Sequence, residues 1–255
     1  MRFAFFSLFI AITLCWSHET HQMLGYNITT DFDDVFGTVE ERAAFIAAAA
    51  VPDAFKKIDM TYHSDEFALA LLAYAHEHPD YHGFPAEPFA LGYCCHLIED
   101  AVAHHKHSIA DHHYHDVSKA TDAVLQLQAL VWYTHFFPTP AVAASLVYDA
   151  ANYAGMKEGK LSKFVDESDK FNHDGQKDFH DYSNDSIKKH LDVIEGDLCD
   201  HKHLAWPADE RALGWSWNAC ASFIKAQQTS FDPKANYQAA MQFVENLFAS
   251  RDDIC

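Results

Sequence analysis

Apolar residues recur every three or four positions along most of the chain, a spacing that predicts amphipathic α-helices. Phe67, Leu71, Leu72 and Ala75 form one such stripe. A capping box at Thr38 and Glu41 opens an alanine-rich helix that Pro52 ends. With the same signals, helices are predicted at 38–50, 63–77, 88–103, 112–136, 140–153, 186–197, 209–228 and 234–249.

The remaining pattern argues against a sheet. It contains no convincing alternating strand and no internal repeat. The polar stretch 156–184 is interpreted as a long loop or lid. A chain of 255 residues can bury one sizeable core, and nothing in it requires two. The predicted fold class is therefore all-α, a single-domain multi-helix bundle.

The first fifteen residues have the pattern of a secretory signal peptide. Arg2 is a basic start, and Phe3–Leu14 is an apolar stretch shorter than the roughly 20 helical residues that span a bilayer. Small residues at Thr13 and Cys15 predict cleavage before Trp16, which gives a secreted mature domain over 16–255. A retained anchor and a lipoprotein attached through Cys15 are the alternatives.

Charge narrows the range of partners. Lys and Arg total 18 against 37 Asp and Glu, a formal net charge of −19. So acidic a chain has no electrostatic footprint for nucleic acid, and it would not bind an anionic membrane by overall surface charge alone. Histidine is the exception to ordinary usage, because 19 are present and ten of them fall between His76 and His115.

Export makes disulfides possible. The mature chain would hold five cysteines, an odd number, so at least one is unpaired within it and the pairing stays open. Two sequons, at Asn27 and Asn184, are compatible with a glycoprotein. The five cysteines are Cys94, Cys95, Cys199, Cys220 and Cys255.

The candidate chemistry lies on the helix predicted at 88–103. His96, Asp100 and His104 follow one another at intervals of four, so they share one helix face. Imidazole and carboxylate are zinc ligands. The rise from His96 to His104 is about 12 Å, too long for one ion. Two ions about 3.5–4 Å apart, bridged by Asp100, would fit.

Around this helix the chain resembles the zinc-dependent phospholipase C family, which includes the catalytic domain of glycosylphosphatidylinositol-specific phospholipase D and is related to the fungal single-strand-specific zinc nucleases. The resemblance runs from Trp16 to about Leu125 and depends on motifs in the family's order. These are Trp16, His21, Pro52-Asp53, His63, His96-x3-Asp100-x3-His104 and a following His-x3-acid pair.

The resemblance implies an all-helical fold with three zinc ions. One zinc would be held by Trp16, through its free amine and carbonyl, with His21 and a shared Asp100. A second would be held by Asp53, His63, His96 and Asp100.

The third zinc would be held by His104 and a later pair. His107-x3-Asp111 and His112-x3-Asp116 both fit the pattern. We choose His112 and Asp116, because the chain needs room to turn back after His104. His107 and Asp111 remain the alternative.

The other histidines in this region, and three acids, are interpreted differently. The histidines are predicted to be solvated or to lie beside ligands, and the acids to orient ligands. The histidines are His76, His78, His82, His105, His113 and His115, and the acids are Asp65, Glu99 and Asp111.

The implied reaction is phosphodiester hydrolysis by attack of a zinc-bound hydroxide on phosphorus, with Asp53 as ligand and catalytic base. The first hypothesis is a secreted, monomeric phospholipase C that acts on phospholipid head groups and contacts a membrane surface transiently. The alternatives are a single-strand nuclease, a phospholipase D-type or glycosylphosphatidylinositol-cleaving enzyme, and a non-catalytic His-rich metal-binding protein.

Overall fold

The computed structural model describes residues 18–104, 136–156, 159–181 and 205–249, and this part of the chain is mostly helical. The all-α prediction is confirmed at that level. No helix in these ranges is both long and apolar enough to cross a membrane. The elements are α1 His18–Asp31, α2 Val39–Ala48, α3 Pro52–Phe55, a 3₁₀ turn Met60–His63, α4 Asp65–Glu77, β1 Asp80–Tyr81, β2 Phe84–Pro85, α5 Ala86–Ala103, α6 Ala141–Tyr153, α7 Leu161–Asp181, α8 Ala205–Thr229 and α9 Pro233–Ala249.

Helix α5 runs through the core and packs against α2, α4 and α8. It passes close to α2 at Gly92, where an added Cβ would lie 2.2 Å from the carbonyl oxygen of Phe45. Only glycine therefore fits at this crossing. The tight packing leaves almost all of α5 buried, including His96, Glu99 and Asp100.

Short polar side chains fix where the helices begin. Thr38 accepts a hydrogen bond from the Glu41 backbone N–H, and the Glu41 carboxylate accepts one from Thr38 N–H, which is the predicted capping box. The Ser64 hydroxyl accepts a hydrogen bond from the Phe67 backbone N–H and so caps α4, and His63 therefore precedes that helix and lies in the 3₁₀ turn instead of opening α4. Pro52 is in the first turn of α3, where proline costs no hydrogen bond.

The prediction of a loop over 156–184 is wrong, because helix α7 occupies 161–181. Phe164, Ser168, Phe171 and Gly175 are buried at helical spacing on one face. The other positions of the helix are polar, so the mean hydropathy of the segment is low and does not reveal this stripe. Burial of a narrow apolar face stabilises a helix whose composition resembles a loop.

A short hairpin, one disulfide and two predicted helices remain to be compared with the sequence-based predictions. Strands β1 and β2 form a two-stranded antiparallel hairpin, which the pattern had not predicted. Cys95 and Cys220 form a disulfide between α5 and α8 with a Cα–Cα distance of 5.3 Å, while Cys94 is buried as a free thiol. The helices predicted at 112–136 and 186–197 and Cys199 and Cys255 lie outside the described residues.

Candidate metal centre

Four segments bring five predicted ligands together. His21 comes from α1, Asp53 from α3, His63 from the 3₁₀ turn, and His96 and Asp100 from α5. The four-residue interval on α5 places His96 Nε2 3.4 Å from Asp100 Oδ2. The other three side chains meet this pair from α1, α3 and the 3₁₀ turn.

The hydrogen bonds of His96 direct a lone pair into the cluster. Its Nδ1–H donates to the carbonyl oxygen of Ala49 at 2.9 Å, because a carbonyl can only accept. Burial, and then the charge on His21, lower the pKa of His96 to about 3, so the ring is neutral. The unprotonated Nε2 lies 3.0 Å from His63 Nε2 and 3.7 Å from Asp53 Oδ1. A cation among these atoms would satisfy them together.

His21 is held in a similar way by a carboxylate. Its Nδ1 donates to Glu99 Oε2 at 2.5 Å, and both side chains are fully buried. His21 Nε2 then lies 3.3 Å from Asp100 Oδ1 but makes no hydrogen bond with any described residue. A carboxylate that orients an imidazole towards an ion is the usual support for a metal-binding histidine.

Asp100 lies between the two halves of the cluster. Its Oδ1 faces His21, and its Oδ2 lies 3.2 Å from His63 Nε2. Burial opposes its charge, but the electrostatic influence of the surrounding histidines, His96, His21 and His63, holds the pKa of Asp100 well below its usual range. The carboxylate is therefore ionised and available to a cation.

The open side of the cluster contains Asp53 and His63. Asp53 Oδ1 lies 3.4 Å from His63 Nε2 and accepts a hydrogen bond from Lys56 Nζ at 2.5 Å. Burial opposes the charge on each, but their mutual hydrogen bond contributes to a lowered pKa of Asp53 and, with Asp100, to a pKa of about 9 for His63.

The ligand atoms form two groups, each within 4.8 Å: His21, His96 and Asp100, and Asp53, His63 and His96. The donors fit a metal ion on two further observations. His21 Nε2 is buried without a hydrogen-bond partner among the described residues, and the His96 lone pair faces carboxylate oxygens. These buried His and Asp groups could hold a metal ion.

The remaining predicted ligands are not part of these groups. His104 caps the end of α5 and belongs to neither group of converging atoms in the described ranges. Trp16, His112 and Asp116, together with the alternative pair His107 and Asp111, lie outside the described residues, as do His105, His113 and His115.

Other residues considered from the sequence lie elsewhere. His76 is half-exposed, 3.5 Å from Glu87, and is stacked on Phe231. His78 contacts Tyr74 at the end of α4, and His82 forms the turn of the hairpin.

Glu99 contacts a ligand as expected, whereas Asp65 accepts a hydrogen bond from Tyr237 and contacts neither ligand group directly in the described structure. Sequence reasoning missed Lys56. The i, i+3 interval from Asp53 to Lys56 on a short helix was the signal that could have identified it.

Comparison with known proteins adds no family to this geometry. No protein-family model, no curated protein and no solved structure matches the chain.

Proposed function

We propose that the chain is a secreted zinc-dependent phosphodiesterase of the phospholipase C type, which hydrolyses phospholipid head groups. The observation that carries the proposal is the position of Asp100, with one oxygen 3.3 Å from His21 and the other 3.2 Å from His63. A carboxylate between two imidazole groups is suited to bridge two metal ions. Paired ions suit phosphoryl transfer, because they stabilise both the attacking and the leaving oxygen.

The donor chemistry supports zinc. Each group combines two imidazole nitrogens with one carboxylate oxygen, whereas calcium and magnesium favour oxygen ligands alone. When bound, zinc supplies positive charge for the phosphate and lowers the pKa of a bound water towards neutrality. The resemblance gives Trp16 to the ion held by His21 and Asp100, and it adds a third ion, which His104, His112 and Asp116 would hold.

Asp53 and Lys56 have the positions of reacting and binding groups. Their side chains are 18% and 17% exposed, whereas His21 and His96 are fully buried, so substrate would enter on their side. The Asp53 carboxylate can orient a water and accept its proton. Lys56, which hydrogen bonds to Asp53, brings positive charge to the place where an anionic phosphodiester would arrive.

Two further features agree with secretion. The Cys95–Cys220 pair fits an oxidising compartment. Removal of residues 1–15 would also give Trp16 the free amine that the resemblance assigns to a zinc ligand. In this proposal, export and assembly of the centre depend on the same cleavage.

The experiment is metal analysis of the mature secreted protein, with its N-terminus sequenced and with phosphatidylcholine and single-stranded DNA as substrates. We expect Trp16 at the terminus, about three tightly bound zinc ions per chain, and release of phosphocholine and diacylglycerol. Phosphatidic acid and choline would instead indicate a D-type cut. Variable, weakly held metal with neither activity would overturn the proposal in favour of a His-rich binding protein.

DNA is included because one observation favours a nuclease. Trp16 and His21 are five residues apart, a spacing shared with the zinc nucleases. Faster hydrolysis of DNA than of phosphatidylcholine would establish that alternative.

A further inference from the structure

The metal centre opens on the side of Asp53 and His63, whose side chains are 18% and 12% exposed, while His21 and His96 are fully buried. The chain between these two open ligands, residues 54–62, therefore forms one edge of the opening. Side chains exposed on this edge would therefore contact the surface that carries a substrate before the substrate reaches the metal ligands.

The start of α7 packs against the same edge. Lys163 Nζ donates to the carbonyl oxygen of Ile58 at 3.4 Å. The Phe164 ring packs against Phe55 and Tyr62, with ring centroids 5.6 Å and 5.0 Å away. These contacts join residues 57–61 and 160–163 into one surface, which we call the rim.

The rim combines exposed lysines with exposed aliphatic side chains. Met60 is 54% and Leu161 is 39% exposed, and they are two of the four large hydrophobic residues exposed in the described ranges. Lys57, Lys160 and Lys163 are exposed beside them. Asp59 is the acid within the rim, and its carboxylate accepts hydrogen bonds from Thr61. The rim is thus locally basic in a chain with net charge −19.

We infer that the rim docks on the surface of a phospholipid bilayer that contains anionic lipids. Lysines attract anionic head groups, and their effect is local because salt screens charges beyond about 10 Å, so distant acids do not cancel it. Met60 and Leu161 can insert among the head groups, as apolar residues do beside lysines in interfacial segments. A single-stranded nucleic acid would instead favour exposed aromatic rings for stacking, and Tyr62 is buried.

The inference rests on the proposed function for the identity of its partner, since a lipid-cleaving centre must meet a bilayer. It also revises the expectation from composition that the chain would not bind an anionic membrane. The net charge of the whole chain does not predict membrane binding when the basic groups lie together at the opening of the site.

The test is flotation of the mature protein with phosphatidylcholine vesicles, with and without phosphatidylserine. Lys57→Glu/Lys160→Glu should weaken binding to phosphatidylserine vesicles at least about tenfold, because each lysine near the surface contributes about 1 kcal/mol. Met60→Ser/Leu161→Ser should weaken it about three- to tenfold through lost apolar contact. Lys225→Glu/Lys234→Glu carries the same charge change outside the rim, and Val39→Ser removes an apolar side chain elsewhere, so both controls should stay within about twofold.

Equal losses in the rim and control variants would overturn the inference. So would binding of a single-stranded oligonucleotide that depends on the rim lysines without any binding to vesicles. Vesicle binding is measured without turnover, and hydrolysis of a soluble short-chain phosphatidylcholine is measured without vesicles. Rim-dependent binding with no hydrolysis would contradict the proposed function alone, whereas hydrolysis of the soluble lipid with no vesicle binding would contradict the rim alone.

Discussion

His21 and His96 lie on the buried side of the candidate metal centre, whereas Asp53 and His63 lie on its open side. Each buried imidazole donates its second nitrogen to a fixed acceptor, Glu99 for one and the Ala49 carbonyl for the other. Asp53 is instead held by the flexible side chain of Lys56. From this difference we expect the buried pair to determine metal affinity and the open pair to contact the substrate.

The largest expected effect is that of His96→Ala. His96 belongs to both ligand groups, so its removal should release metal from both and lower phosphodiester hydrolysis by at least about 10³-fold. Metal content and activity of the purified variant are the measurements, with far-UV circular dichroism to show that the helices persist.

His78→Ala is the matched control, because His78 lies at the end of α4 away from the ligand groups. It should leave metal content and activity nearly unchanged. Equal losses in the two variants would mean that the histidines act through general stability, not as ligands.

Asp53→Asn separates the open side from the buried side. The amide keeps the shape but cannot accept a proton, so kcat should fall about 10²- to 10⁴-fold. Metal held by His21, His96 and Asp100 should remain. Asp80→Asn is the control, since that carboxylate is exposed and accepts a hydrogen bond from Gly83 N–H in the hairpin. If Asp53→Asn lost as much metal as His96→Ala, the division between the two sides would be wrong.

Local spacing explains which parts of this architecture could be predicted. Helix α5 and the pairing of His96 with Asp100 depend on residues four apart, so both could be predicted from the sequence alone. The convergence of His21 and Asp53 on that pair depends on packing between distant segments, and only the resemblance suggested it. Helix α7 was missed because few of its residues are apolar, although they lie on one face.

The contacts that orient the ligands were harder still to predict from the sequence. Ala49 and His96 are 47 residues apart, and a backbone carbonyl has no sequence signature. Glu99 was a candidate for orienting a ligand, but the imidazole that it binds belongs to another helix. The sequence pattern thus supplied the candidate ligands, whereas packing determines which nitrogen of each ring faces the cluster.

Glu99→Gln should have a smaller effect than either ligand variant. The amide oxygen can still accept from His21 Nδ1–H, but without the negative charge that raises the basicity of the ring. Metal affinity should fall about 10- to 100-fold, measured by competition with a chromogenic chelator. Glu87→Gln, beside the half-exposed His76, removes the same charge at the surface and should leave affinity unchanged. Equal affinities in both variants would show that Glu99 does not support the centre.

The smallest expected effect is one of pH. A rise in pH should destabilise the metal-free protein but strengthen its binding of zinc. Burial opposes the charge of His21, but its contacts with Asp100 and Glu99 raise its pKa to about 10, and the pKa of His63 is raised to about 9. Both values exceed the ordinary 6.5 of the unfolded chain, so the metal-free fold binds these protons more tightly. That contribution to stability is fully present below pH 6.5 and is lost as the pH rises through 9 to 10.

Metal binding must displace the same protons, so zinc affinity should increase over the interval in which the metal-free fold weakens. Thermal unfolding at pH 6.5 and pH 9, with zinc or with a chelator, measures both effects. The Tm of the chelated protein should fall with rising pH, and the gap between zinc-loaded and chelated protein should widen. His76, which lies outside the cluster, does not contribute to this gap, so His76→Ala should leave it unchanged. A gap that narrows between pH 6.5 and 9 would mean that protons and metal do not compete for the ligand set proposed for this centre.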